Sequence, residues 1–320
     1  MRSDSFIFED ADGIRIHVYR WLPDGERPVK AVVQISHGLA ETGARYARLA
    51  QWLTAAGYAV YANDHRGHGQ TAGSPERVTM IGEDGFDRMT EGVKLLTDRI
   101  REEIPEIPLF LLGHSMGSFI AMQYMYRFPG HADGILLSGT KGPQQVVHTC
   151  GYWLASLLVA LQGPDYRSKL LNALSTGTYN RAFRPNRTSA DWLSRDEAEV
   201  DLYLNNPYCG GNATNGLWLF MLKGLLGNHR PAHLRRIPKE QPLYLFAGDE
   251  DPVGSQGKSF MDLVRVYRSL GMTDVSYNLY KGGRHEMLNE TNRSEVMQDI
   301  LAWLDTRAAA LSRNETTRSD

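Results

Sequence analysis

The chain has 320 residues, of which 42% are hydrophobic and 22% are charged, and its formal net charge is −2. This balance is ordinary for a globular protein with one large domain, or with a core and an inserted subdomain. It gives no indication of nucleic acid or of an anionic membrane surface as a partner, because both attract strongly basic proteins.

Targeting signals and cysteine content indicate the compartment. The first residues lack a basic segment followed by an apolar one, so we expect no signal peptide. No apolar run approaches the ~20 residues that are needed to span a bilayer. The two cysteines, Cys150 and Cys209, are too few for a disulfide framework and favour a reducing compartment. These features predict a cytoplasmic protein.

The first block of the chain, residues 1–139, alternates strand-length apolar runs with longer amphipathic runs. The turn pair Asp12-Gly13 predicts an antiparallel hairpin over residues 5–9 and 14–22. Nearly continuous apolar runs, as expected of strands covered on both faces, predict strands at 31–36, 58–64, 109–113 and 134–139. Helical periodicity predicts helices at 44–56, 86–103 and 116–128. This alternation is typical of an α/β protein with a mostly parallel sheet.

The second block, residues 140–239, breaks this alternation. It has helical stretches and irregular pieces but no clear buried strand, and the helices are predicted at 152–161, 194–204 and 217–226. An insertion of this kind usually lies over the C-terminal ends of the strands as a cap. The third block restores the alternation, with strands at 242–248 and 275–280 and helices at 257–270 and 292–310. We therefore predict a core of residues 1–139 and 240–311, a cap at 140–239, and a polar, disordered tail at 312–320.

A G-x-S-x-G pentapeptide, Gly113-His114-Ser115-Met116-Gly117, follows one of the apolar strands directly and precedes a helical run. That strand–turn–helix context is typical of a nucleophile elbow. The tight turn exposes the serine Oγ, and the flanking glycines keep side chains away from it. The helix N-terminus directs backbone N–H groups and partial positive charge at the site. We therefore predict Ser115 as the nucleophile, against the alternative of a chance pentapeptide in a tight turn.

Serine needs a base, because a free hydroxyl is a weak nucleophile at neutral pH. After a nucleophile elbow, the acid and then the histidine follow the serine along the chain. Here the strand at 242–248 is followed by Asp249-Glu250-Asp251, and the next strand, at 275–280, is followed by His285. Both loops follow C-terminal strand ends, where an α/β sheet binds its ligands. We predict Asp251 as the acid, with Asp249 as the second choice, and His285 as the base. Glu286 and Asn289 are either supporting groups or exposed.

An oxyanion hole needs two backbone donors directed at the developing negative charge. One is expected from Met116, the residue after the nucleophile. The loop after the third strand begins Ser36-His37-Gly38-Leu39, and its glycine lets the backbone approach a substrate closely, so Leu39 is the predicted second donor. The alternative is that His37 and Gly38 only turn the chain.

The sequence Asp64-His65-Arg66-Gly67-His68-Gly69 raises the possibility of a metal site. No further ligand cluster supports a metal, so we favour a tight loop held by hydrogen bonds. The cap carries many apolar residues, which either pack internally or line an acyl pocket: Trp153, Leu154, Leu157, Leu158, Tyr179, Phe183, Trp192, Leu217, Trp218, Phe220, Met221 and Leu225. The run at 152–161 could also contact a membrane or micelle, although it lacks flanking basic residues.

Four longer segments carry a family resemblance: HGLAETGARYARLAQWLTAAGYAVYANDHRGHGQT, GHSMGS, GDEDPVG and GGRHEMLNE. Together they resemble the monoacylglycerol lipase and lysophospholipase branch of the α/β-hydrolases, over most of residues 14–304 and most weakly across the cap. The resemblance implies a mostly parallel eight-stranded sheet with flanking helices and an inserted helical cap. It also implies a triad of Ser115, Asp251 and His285 and oxyanion amides at Leu39 and Met116. Relatives often have histidine after the Glu41 position, where this chain has Thr42, so details of glycerol binding do not transfer.

These observations predict a serine carboxylic-ester hydrolase that cleaves monoacylglycerol, or a similar ester with one acyl chain, through an acyl-enzyme. The expected partner is a small acyl ester, and no metal or organic cofactor is needed. One alternative is a short-chain carboxylesterase of broad specificity. Another is a proline iminopeptidase-like amidase, for which an acidic cap pocket would be needed. A perhydrolase would use the same triad, and a non-catalytic binding module would normally have lost one of its members.

Overall fold

The computed structural model describes the backbone of residues 1–25 and 28–316, with side chains as far as Leu311. The described residues form one eight-stranded sheet in the order β1-β2-β4-β3-β5-β6-β7-β8. The β1–β2 and β2–β4 pairs are antiparallel, and all the others are parallel. The strands are β1 (Arg2–Glu9), β2 (Arg15–Leu22), β3 (Ala31–Ser36), β4 (Tyr58–Asn63), β5 (Leu109–His114), β6 (Gly134–Ser138), β7 (Leu243–Gly248) and β8 (Val275–Tyr280).

Helices cover both faces of the sheet and fill the segment between β6 and β7. They are α1 (Ala47–Ala55), α2 (Gly69–Ala72), α3 (Gly85–Glu103), α4 (Met116–Arg127), α5 (Gln145–Gln162), α6 (Lys169–Leu174), α7 (Thr176–Tyr179), α8 (Glu197–Asn205), α9 (Asn215–Asn228), α10 (Pro231–Leu234), α11 (Lys258–Ser269) and α12 (Arg293–Thr316). Single 3₁₀ turns lie at Gly43–Tyr46, Pro75–Arg77, Asn180–Phe183 and Met287–Asn289.

Two apolar layers bury the central strands from opposite sides. Successive strand side chains point to opposite faces, so Val33 and Ile35 pack with α1 and α12, whereas Val32 packs with α3, α4 and α11. Strands β3 to β7 are buried at every position, as expected where both faces are covered. The residues that follow their C-terminal ends are therefore held on a rigid support.

The order of the strands creates a switch point at β3. The chain passes from β3 to β4 on one side and then crosses to β5 on the other. In open α/β sheets the crevice outside such a switch point, at the carboxyl ends of the strands, is the usual ligand site. The loop that begins with His37 follows β3, and Ser115 follows β5, so both predicted elements lie at this crevice.

The sequence placed the core elements closely, and the largest differences lie in the predicted cap and at the C-terminus. Helix α5 starts at Gln145 rather than at 152, because its first turn exposes Val146 and Val147 and so lacks helical periodicity. The short helices α6, α7 and α10 were missed. Helix α12 continues to Thr316, so residues 312–316 of the predicted tail are helical, and 317–320 lie outside the described residues. No described helix is both long and apolar enough to cross a membrane.

Candidate active site

Ser115 occupies a strained turn between β5 and α4. Its φ is +52° and its ψ is −117°, a conformation that a non-glycine residue adopts only when its surroundings enforce it. The backbone enforces it here: the Ser115 N–H donates to the Ser138 carbonyl of the neighbouring strand at 2.9 Å, while the Ser115 carbonyl accepts from the Ser118 N–H at 2.9 Å. The side chain is thereby held at the carboxyl end of the sheet.

The glycines on either side of the turn are required by space. A Cβ on Gly113 would lie 2.3 Å from the Gly117 carbonyl oxygen, and a Cβ on Gly117 would lie 1.9 Å from the Ser36 carbonyl oxygen. Both distances are far inside van der Waals contact, so a side chain in place of Gly113 would push the start of α4 away from β5, and one in place of Gly117 would push it away from β3. The G-x-S-x-G pattern thus reflects close packing of three backbone segments.

Both predicted oxyanion donors lie beside Ser115. Met116 is the first residue of α4, where the backbone N–H has no partner within the helix. A Cβ on Gly38 would lie 3.3 Å from the Ser115 Cβ, so the loop that carries Leu39 packs directly against the elbow. Leu39, Ser115 and Met116 also line the same cavity.

The histidine-rich segment after β4, residues 64–69, is hydrogen-bonded to the loop that carries Gly38 and Leu39. The His65 N–H donates to His37 Nε2 at 2.9 Å, which leaves His37 Nδ1 to donate to the Gly38 carbonyl at 2.8 Å. Asp64 accepts hydrogen bonds from the Thr42 hydroxyl and the Gly43 N–H, at 2.8 and 2.7 Å. Searched over the described ranges, the chain has no group of three or more candidate metal ligands. The segment is a hydrogen-bonded support for the Gly38 turn.

Asp251 and His285 form a buried pair. His285 Nδ1 lies 3.0 Å from both carboxylate oxygens of Asp251, and the two side chains are 2% and 0% exposed. Asp251 Oδ1 also accepts the Val253 N–H at 2.9 Å, which fixes the carboxylate. Asp249, the second candidate, instead accepts the Gly282 N–H at 2.6 Å and so holds the two loops together.

Two aromatic rings pack against the ring of His285. The rings of Trp192 and His114 each lie 4.9 Å from that of His285, and the backbone N–H groups of His285 and Glu286 donate to the carbonyls of Trp192 and Leu193. Burial alone would lower the pKa of His285, but the charge and hydrogen bond of Asp251 outweigh it, so the pKa is raised. The carboxylate therefore stabilises the imidazolium, as required of a group that takes up a proton during catalysis.

A buried ionic cluster holds the loop of His285 against the loop after β3. The Arg45 guanidinium donates to Glu41 at 2.7 Å and to both oxygens of Glu286, at 2.7 and 2.6 Å. It also lies 4.9 Å from the ring centroid of Tyr203. Burial opposes ionisation of the two carboxyl groups, yet the Arg45 charge lowers the pKa of both. The cluster therefore fixes Glu286, which is next to His285, and Glu41, which accepts the Gly38 N–H.

Replacement of Arg45 by methionine is expected to lower the free energy of unfolding by about 3–5 kcal/mol, because it leaves two buried carboxylates without their cation. Urea unfolding measures this change. The matched control is Arg265→Met: Arg265 and its partner Asp262 are 69% and 44% exposed, so the loss of this pair should cost no more than ~1 kcal/mol. Equal losses for the two variants would contradict the assigned role of the cluster.

A cavity of about 650 Å³ opens beside Ser115, between the core and the segment 140–239. Its walls are largely apolar and come from α4, α5, α6 and α9, and they include Phe119, Leu154, Leu171, Trp218, Met221, Leu222 and Leu225. Of the apolar residues singled out in the predicted cap, Leu154, Tyr179, Trp218, Met221 and Leu225 line it. Its size and lining suit an aliphatic chain.

Comparison with known proteins agrees with this geometry. A sequence profile of the family described as "Serine aminopeptidase, S33" matches residues 27–292. The chain belongs to this family. The resemblance predicted from the sequence is thereby confirmed, and the mostly parallel eight-stranded sheet confirms the predicted α/β-hydrolase fold.

Two relatives and one solved structure show how similar this S33 family member is to known proteins. The monoacylglycerol lipase of Mycolicibacterium smegmatis is 30% identical over 298 residues, which are 93% of this chain and 95% of the relative. The human monoglyceride lipase is 29% identical over 308 residues, 94% of this chain and 90% of the relative. A crystal structure of a thermostable carboxyl esterase from Bacillus coagulans in complex with glycerol superposes with a TM-score of 0.88 at 25% identity, over 96% and 99% of the two chains.

The sequence did not predict several groups around the candidate active site of this S33 family member. The roles of Glu41 and Arg45 were not foreseen, although their spacing of four residues is that of a helical ion pair. Trp192 was assigned only to the apolar set of the cap, and nothing local in the sequence shows that it lies against His285. Both cases depend on contacts between distant segments.

Proposed function

We propose that the protein hydrolyses the ester bond of monoacylglycerols, or of similar esters with one medium or long acyl chain. The observation that carries this proposal is the apolar cavity of about 650 Å³ that opens at Ser115, beside the buried Asp251–His285 pair. An elongated apolar chain fits this cavity. The monoacylglycerol lipases among the relatives match nearly the whole chain and so support the same substrate class.

In the proposed reaction, Ser115 Oγ attacks the ester carbonyl while His285 takes up the hydroxyl proton. The amides of Leu39 and Met116 stabilise the tetrahedral oxyanion, and one such donor typically contributes ~10²–10³ in rate. His285 then gives its proton to the departing alcohol, which leaves an acyl-Ser115. Water repeats the sequence and releases the fatty acid. Asp251 holds the imidazole with Nδ1 protonated and stabilises its charged form throughout.

An aminopeptidase activity, which the family description suggests, needs a free carboxylate near the site to bind the substrate's amino group. The acidic residues of the α8 region are already paired: Asp196 with Arg293, Glu199 with Arg48, and Asp201 with Arg187. None of these carboxylates lines the large cavity. This arrangement favours an ester over an N-terminal peptide as the substrate.

Hydrolysis of p-nitrophenyl esters from acetate to palmitate, together with 1-monooleoylglycerol and proline p-nitroanilide, tests the proposal. We expect turnover of the monoacylglycerol and a preference for medium or long chains. Turnover of short esters alone would identify a general carboxylesterase, and cleavage of the anilide alone would identify an amidase. Either result would refute the proposed substrate class.

We further propose that helix α5 contacts the lipid surface from which the substrate is taken. Val146, Trp153 and Leu161 on this helix are 76%, 67% and 72% exposed. Val146 and Val147 also line the cavity, so the exposed apolar side chains continue into the substrate site. Trp153→Gln should reduce hydrolysis of monooleoylglycerol in phosphatidylcholine vesicles but not that of dissolved p-nitrophenyl acetate. An equal effect on both substrates would refute the lipid contact.

A further inference from the structure

A lysine without a carboxylate partner lines the apolar cavity. Lys141 follows β6 by three residues, is partly buried, and lies in the cavity wall together with Ser115. Among the described residues, lysine ion pairs are made by Lys30, Lys94 and Lys223, and Lys141 makes none. Burial lowers the pKa of Lys141 to about 8, although the charge of Asp251 opposes this change. The ammonium group is thus largely protonated at neutral pH but poorly compensated.

Two histidines beside this lysine also have free hydrogen-bonding atoms. His148, which is 2% exposed and lines the same cavity, has no partner for Nε2 among the described residues. Neither ring nitrogen of His229 has a hydrogen-bond partner among the residues that the structure describes. Burial, reinforced by the Lys141 charge, lowers the pKa of His148 to about 3 and that of His229 to about 4. Both rings are therefore neutral, and each offers one N–H donor.

Lys141 and His148 share the cavity with the reacting centre. Lys141 Nζ is 5.8 Å from the ring centroid of Phe119, which lies one helical turn after Ser115 on α4. Ser115 and Lys141 also line the same cavity, so an acyl chain that is held at Ser115 by its ester can extend along the wall towards the lysine. Leu154 and Trp218 are among the apolar residues that line the same cavity. An unpaired cation and unused donors in such a wall are costly unless a ligand supplies the acceptor.

We propose that Lys141 and His148, with His229 close to both, form a binding site for a carboxylate at the far end of the substrate's acyl chain. The preferred acyl groups are therefore those of dicarboxylic acids, bound as monoesters whose free carboxylate meets Lys141 and whose methylene chain lies along the apolar wall. This inference rests on the proposed ester hydrolysis and narrows its substrate class. A hydrogen bond between charged groups contributes about tenfold to a hundredfold in affinity, which sets the expected preference.

The kinetic test compares p-nitrophenyl monoesters of adipate, suberate and sebacate with the hexanoate, octanoate and decanoate of equal length. For at least one length, we expect kcat/KM of the wild type to be about tenfold or more higher for the carboxylated ester. Lys141→Met should abolish that preference, so that the ratio of kcat/KM for the carboxylated ester to that for the uncharged ester falls to about one. Lys169→Met, which removes an exposed lysine lining the neighbouring cavity of about 440 Å³, should keep the preference. An equal ratio in wild type and Lys141→Met at all three lengths would overturn the proposal.

A binding measurement separates this inference from the proposed function. Calorimetric titration of suberate into Ser115→Ala and into the double variant Ser115→Ala/Lys141→Met needs no turnover. We expect the dissociation constant to rise at least about tenfold in the double variant. Suberate that binds neither protein, or both equally, overturns the carboxylate site even if esters are hydrolysed. Selective binding without any ester hydrolysis would instead support the site and refute the proposed function.

Discussion

Replacement of Ser115 by alanine is expected to lower kcat for the best ester by about 10⁶-fold, with little change in KM. In the proposed reaction the side chain supplies the attacking oxygen, so that without it the remaining groups can only assist a water molecule. A loss of this size corresponds to about 8 kcal/mol of barrier height. The φ of +52° suits alanine no worse than serine, so the variant should fold, which circular dichroism checks.

The control for this prediction is Ser175→Ala. Ser175 lines the same cavity, and its hydroxyl donates to the Leu171 carbonyl at 2.6 Å within the segment 140–239. We expect less than a tenfold effect, because this hydroxyl serves local structure. If Ser115→Ala kept more than a few per cent of the activity, covalent catalysis at the elbow would be excluded.

The core of the fold could be predicted because its information is local. Strands β3 and β8 begin and end where the sequence placed them, and the other core strands differ at their ends by a few residues at most. A strand buried on both faces needs an uninterrupted apolar run, and the glycine, proline and polar residues around it limit its ends. The nucleophile elbow could also be predicted because its information is local: five consecutive residues carry the whole motif.

The environment of the site was less predictable, because residues far apart in the chain create it. Glu286 could be read only as a supporting or exposed group, yet it is buried against Arg45, 241 residues earlier. Lys141 could not be singled out from the sequence, because a single lysine in a loop is normally solvated. Its meaning appears only when His148 and His229 lie beside it and no described carboxylate pairs with it. A sequence pattern shows the periodicity of apolar residues. Whether a buried charge has a partner depends on which residues the folded chain brings together.

The choice between the two neighbouring aspartates can be tested directly. Asp251→Asn is expected to lower kcat for the ester by about 10⁴-fold. The asparagine amide can donate to Nδ1, which would then accept and leave the proton on Nε2, the nitrogen that receives the serine proton in the proposed reaction. The buried imidazolium would also lose its counter-charge. Both effects act on the transition state, so KM should change little.

Asp249→Asn is the matched control, since it makes the same chemical change two residues away. Asp249 accepts only a backbone N–H from Gly282 in the described contacts, and an amide oxygen can take over that hydrogen bond. We therefore expect less than a tenfold loss of kcat and a small loss of stability. A larger kinetic loss for Asp249→Asn than for Asp251→Asn would transfer the acid role to Asp249 and require His285 to swing away from its 3.0 Å contacts. The rings of Trp192 and His114 each lie 4.9 Å from that of His285 and so restrict that movement.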